Sequence, residues 1–89
     1  MILIKVMETA LYKVPLLLTP QPEGGYTVTS PLFPELITEG DSAEEAIENA
    51  RDALKATLEI YSDTGRRLPP TVVVADRDGP VWLETVFAA

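Results

Sequence analysis

Three carboxylates on predicted loops, Glu23, Glu39 and Asp41, and one hydroxyl, Ser30 before Pro31, are the side chains whose types could support hydrolysis. Clustered acids can hold magnesium for phosphodiester cleavage, and a serine becomes a nucleophile when a base stands beside it. Little else of that apparatus is available. The 89 residues contain no cysteine and no histidine, which removes thiolate nucleophiles, Cys/His zinc sites, disulfides and His-based triads together. Ser30 has no His or Lys base beside it in sequence. Glu23 falls in a turn that needs polar residues in any case, and Asp41 is placed to support a helix start. Gly24-Gly25 joins two predicted strands with no Gly-Lys-Ser/Thr after it, so it is not a phosphate loop. The chain is therefore expected to carry no catalytic residue, no metal and no cofactor.

A different chemistry is suggested by Glu44, Glu48 and Asp52, which recur every four residues and so share one face of a helix. Like charges at that spacing cost a few tenths of a kcal/mol per pair. Between Ala43 and Thr64 six acids face only two bases, Arg51 and Lys55, so the bases offset part of this repulsion. Either the face is simply solvated or it docks a basic partner. The whole chain repeats the bias, with 14 acidic against 7 basic residues and a net charge of −7. Phosphate backbones are held mainly by Lys and Arg, so nucleic-acid binding by this chain alone is not expected, and a basic protein partner is.

The elements that must position these residues follow from pattern. Tyr12–Pro20 is apolar and extended in character, with Pro15 at an edge or bulge. Gly24-Gly25 can take positive φ without steric cost and closes a hairpin into Tyr26–Ser30, which alternates in period two with Tyr26 and Val28 on one side. Pro31 and Pro34 are expected to stop that strand, with Leu32 and Phe33 in a loop folding onto the core and Leu36–Thr38 as a short third strand. Ser42 and Glu45 form a capping box, in which the Ser42 hydroxyl accepts from the Glu45 N–H and the Glu45 carboxylate reaches the Ser42 N–H. Ala43, Ala46, Ile47, Ala50, Leu54, Thr57, Leu58 and Tyr61 then make one buried stripe, Gly65 takes the left-handed cap position, and Pro69-Pro70 forbids a restart. Thr71–Ala75 and Val81–Phe87 read as strands around a turn at Asp76–Pro80. Met1–Met7 is apolar and undecided between strand and helix.

The chain has room for one domain, residues 1–89, and area scaling gives roughly 64% of its surface buried on folding, which makes a lone monomer marginal. Homo-oligomerisation, as a dimer or tetramer, is the expected remedy. Val81–Phe87 is apolar on both faces apart from Glu84 and Thr85, so Trp82 and Phe87 either anchor such an interface or complete the monomer core. Lys5, Glu8, Lys13 and Pro15 interrupt the apolar N-terminal stretch, and neither a basic leader nor a small-residue cleavage site frames it, so a cytoplasmic protein with no membrane segment is expected.

Taken in order, the Gly24-Gly25-Tyr26 turn, Thr38-Glu39-Gly40-Asp41-Ser42, the Glu45-Ala46 pair and the exit from Gly65 to Pro69 resemble the HicB-like antitoxin family over residues 12–70. The resemblance implies an α+β, partial ribonuclease H-like fold: a three-stranded antiparallel sheet, one long helix packed on it, and one or two C-terminal strands. It also implies a type II toxin-antitoxin function. Such antitoxins pair with HicA toxins, small basic RNA-degrading proteins, and mask their active surface without turnover. The alternative is a stand-alone regulatory or ligand-binding module of the same family with no toxin. The pattern departs from the family at Glu35, where Gly is common. Many members also append a ribbon-helix-helix or helix-turn-helix module, whereas the 19 residues after Pro70 read here as two strands.

Overall fold

A computed structural model of the chain describes residues 11–74 and 78–89. The readings for Met1–Met7, Ala75, Asp76 and Arg77 lie outside the described residues. The order is β1 (Leu17–Pro20), β2 (Tyr26–Ser30), β3 (Phe33–Gly40) and α1 (Ala43–Asp63). The strands form one antiparallel sheet in the order β1-β2-β3, with α1 packed mainly on β3. This is the α+β architecture that the sequence pattern and the family resemblance imply.

Between β1 and β2 the chain reverses through Gln21–Gly25, where the Gly24 N–H donates to the Gln21 carbonyl at 3.0 Å and the Gln21 N–H to the Gly25 carbonyl at 3.0 Å. Gly24 and Gly25 take φ of +101° and +79°, in the region where a Cβ costs about 1–2 kcal/mol. The two positions differ in space as well as backbone. A Cβ on Gly24 would meet nothing within 4 Å, whereas one on Gly25 would stand 2.7 Å from the Gly40 carbonyl oxygen. Gly24→Ala is therefore expected to cost only the backbone term, and Gly25→Val that term plus about 1–3 kcal/mol of overpacking. Urea midpoints compare the two directly; equal midpoints would mean that the hairpin does not close against the end of β3.

The third strand is longer than the sequence suggests. It begins at Phe33, placed in a loop by the sequence, and contains Pro34: the register passes from Thr29↔Ile37 to Ser30↔Phe33, so Pro34, Glu35 and Leu36 bulge away from β2. Proline has no N–H, and inside a bulge on an edge strand none is demanded of it. The bulge lets both Phe33 and Leu36 turn inward, where they are 0% and 2% exposed. With Tyr61 and Val72 they form one half of the core, and Val28, Ala46 and Ala50 form the other. Burial of a large side chain such as Phe33, Leu36 or Val28 stabilises by roughly 1.5–3 kcal/mol relative to exposure. The two alanines bring the helix close to β2, as the small residues of the stripe require.

The helix begins at its predicted cap, where the Glu45 N–H donates to the Ser42 hydroxyl at 3.1 Å. The reciprocal bond is displaced by one residue: the Glu45 carboxylate takes the Asp41 N–H at 3.3 Å, not that of Ser42. At the other end Gly65 has φ of +67°, and the bonds from Arg66 N–H to the Tyr61 carbonyl and from Gly65 N–H to the Ser62 carbonyl complete a Schellman motif.

The C-terminal segment departs from the expected strands. Thr71–Val74 supplies one antiparallel bridge, Tyr12↔Val73, flanked by bonds from Lys13 N–H to the Val72 carbonyl and from Val74 N–H to the Leu11 carbonyl. Residues 81–89 have no regular secondary structure. A strand needs a ladder partner for its backbone groups, and β-forming composition does not create one. Trp82 and Phe87 are 89% and 73% exposed, so they do not complete the monomer core.

Candidate functional site

The acidic row stands on the outer side of α1, opposite the alanines that bury it. Glu44, Glu48 and Asp52 are all exposed, and among the described residues none forms an ion pair with Arg51 or Lys55. The capping box and the Schellman motif hold the ends of this helix. Its seat is set by Gly40, where β3 meets the first turn, and by Asn49, whose Nδ2 donates to the Glu39 carbonyl at 2.8 Å. The row is thus presented on a rigid element. Glu44 has one further role, since its carboxylate accepts the Ala88 N–H at 3.4 Å and draws the C-terminal segment to the helix start.

The candidates for hydrolytic chemistry do not converge. Among the described residues no three acids gather as a metal site. Ser30 is buried and its hydroxyl accepts the Leu32 N–H at 3.3 Å, which makes it part of the turn into β3.

A polar cluster that the sequence reading passed over lies at the far end of the helix. The Tyr61 hydroxyl donates to the Glu35 carboxylate and holds its pKa below the ordinary 4.5. The same hydrogen bond, followed by burial and the Glu35 charge, raises the Tyr61 pKa above its ordinary 10.0. Phe33 meets the Tyr61 ring edge-on at a centroid distance of 5.4 Å, and the Arg66 guanidinium lies 4.4 Å from the ring centre. Glu35 was visible as a departure from the family pattern, but its partner 26 positions away was not. Its depressed pKa contributes stability above about pH 4.5 that is lost as pH falls through the lower native value. The raised Tyr61 pKa contributes below about pH 10 and is lost as pH rises through the higher native value. Tyr61→Phe keeps the ring contacts and removes the hydroxyl. The Tm gap between wild type and this variant should therefore be widest between those limits and narrow on acidification and at strongly alkaline pH; a gap independent of pH would show that the hydrogen bond is not made in solution.

A family model described as the HicB-like antitoxin of bacterial toxin-antitoxin systems matches residues 13–88. The chain belongs to the HicB-like antitoxin family. It is 44% identical over 57 residues to Antitoxin HicB 1 of Photorhabdus laumondii subsp. laumondii, a match taking in 64% of this chain and 37% of that protein. It is 40% identical over 57 residues to Antitoxin HicB of Escherichia coli K12, covering 64% of this chain and 41% of that protein. The similarity thus spans well under half the length of each relative. Within this HicB-like chain Gly25, Gly40 and the Ser42 cap lie around one junction, which fixes where the acidic helix face stands. No helix among the described residues is long and apolar enough to cross a membrane.

Proposed function

We propose that this HicB-like chain neutralises a small, basic, HicA-type RNA-degrading toxin by docking it on α1 and covering its active surface. The observation that carries the reading is the exposed row of Glu44, Glu48 and Asp52, without an ion pair among the described residues, on a chain of net charge −7. Exposed carboxylates that carry no intramolecular ion pair lose little when a cationic surface replaces water, and their field steers a basic protein toward this side. In this reading the antitoxin acts in the cytoplasm by occlusion and without turnover. It has no catalytic residue or cofactor, and it does not hold nucleic acid alone.

Co-expression with a small basic reading frame adjacent to the gene, followed by affinity purification and a growth assay, tests this directly. A stable complex together with rescue from growth arrest is the expected result. A toxin that arrests growth but neither binds nor is relieved by this chain would overturn it and leave the stand-alone regulatory module as the better description.

A further inference from the structure

The described residues expose both halves of an apolar contact that they do not make with one another. The register sets Leu17 opposite Thr29 and Thr29 opposite Ile37, and directly paired residues share a sheet face. Val28, the neighbour of Thr29, packs on Ala46 and Ala50 of the helix, so the row of Leu17, Thr29 and Ile37 lies on the face that the helix leaves open. Leu17 is 60% and Ile37 73% exposed. A depression lined by residues including Pro15, Leu17 and Thr29 lies at one end of the row, and another lined by residues including Thr27 and Ile37 at the other. The second half is the segment Val81–Phe87, in which Trp82, Leu83, Val86 and Phe87 are all exposed.

We infer that these halves meet between two copies: the Trp82–Phe87 segment of each chain covers the Leu17–Thr29–Ile37 face of the other. The arrangement within one chain favours contact in trans. The Ala88 N–H bonds to Glu44 at the start of α1, which keeps the segment on the helix side of its own sheet. Exchange between two copies is isologous and closes on itself, leaving neither half uncovered. The area is sufficient. Aromatic side chains bury about 150–250 Å² each, so two tryptophans and two phenylalanines alone give roughly 600–1,000 Å². With Leu83, Val86 and the two sheet rows added, the total reaches the range of about 1,200–2,000 Å² typical of stable interfaces. The two copies carry −7 each, so their association should strengthen with salt, the opposite of binding to a basic protein.

Sedimentation equilibrium of the full chain tests the inference, at concentrations on the order of 50 μM and in low and high salt. The wild type should be dimeric, and more so in high salt. Ile37→Asp and the double variant Trp82→Ala/Phe87→Ala should each weaken the dimer at least tenfold, with far-UV circular dichroism unchanged because all three side chains are exposed. An equimolar mixture of the two variants retains one intact segment-to-sheet contact, so it should form a heterodimer more tightly than either variant dimerises alone. Three results would overturn the inference: a monomeric wild type, a dimer that survives Ile37→Asp, or a mixture no more associated than its components. Leu17→Asp repeats the sheet-face test at a second site should Ile37→Asp lose its helical spectrum.

Discussion

Gly40→Ala is expected to cost this domain more than alanine at Gly24, Gly25 or Gly65. A Cβ there would stand 2.3 Å from the Ala46 nitrogen, 2.6 Å from the Ala46 Cα and 2.8 Å from the Glu45 carbonyl carbon. All three are backbone atoms in the first turn of α1, so no side chain can rotate aside. The φ of Gly40 is not positive, and the requirement is purely one of space. Relief requires the helix to lift from β3, and that motion would pull Ala46 away from Val28 and break the Asn49 bond to the Glu39 carbonyl. Overpacking a well-filled site usually costs about 1–3 kcal/mol, occasionally more, and the rigid contacts here place Gly40→Ala at the upper end. A domain of this size shifts its Tm by roughly 4–8 °C per kcal/mol. A fall of about 10 °C or more in thermal unfolding followed by circular dichroism is the expected outcome, with outright failure to fold the extreme case. A variant within about 2 °C of wild type would show that the helix does not seat on β3 as closely as described.

Glu48→Lys combined with Asp52→Lys should leave the fold intact and abolish neutralisation. Both side chains are exposed, and exposed substitutions away from caps and cores usually stay within about 0.5 kcal/mol. The wild-type face already pays a small repulsion between Glu44 and Glu48 and between Glu48 and Asp52. The effect on a cationic partner is of another order, because two attractions become two repulsions. Like charges placed together across an interface cost several kcal/mol, and each 1.4 kcal/mol is tenfold in affinity. Binding to the basic toxin should weaken by about a hundredfold or more, with a faster loss on adding salt in the wild-type complex than in any residual complex of the variant. Growth rescue should disappear while Tm is unchanged. Wild-type affinity in the double variant would exclude α1 as the docking face.

The parts of the fold legible from sequence are those decided by neighbours a few residues apart. Ser42 and Glu45 announce the helix start because a cap joins residues three apart, and Gly65 announces its end because a left-handed residue strongly favours glycine. The hairpin at Gly24-Gly25 is readable for the same reason. Pro34 misleads because its effect depends on its partner strand: in a regular ladder it would end β3, but in a bulge it removes no bond. The segment Val81–Phe87 misleads in the opposite sense, since its composition favours a strand while no backbone among the described residues pairs with it.

For the candidate site the division is similar. The four-residue spacing of Glu44, Glu48 and Asp52 was sufficient to place them on one helix face, because helical geometry alone dictates it. That this face is outward follows from the alanine stripe on the other side. The Glu35–Tyr61–Arg66 cluster was not readable, because it joins a strand bulge to a helix end through a contact set only by how the helix lies across the sheet.

By itself, then, the amino-acid sequence determined the local devices of this HicB-like chain: the turn, the caps, the amphipathic period, the acidic face and the absence of histidine and cysteine chemistry. Tertiary structure alone decided the bulge that admits Pro34, the steric need for Gly40, the Glu35–Tyr61 bond and the exposure of Leu17, Ile37, Trp82 and Phe87. The physical reason is range. Turns and caps are satisfied by hydrogen bonds within a few residues, whereas packing and exposure are properties of surfaces that meet only once the chain has folded.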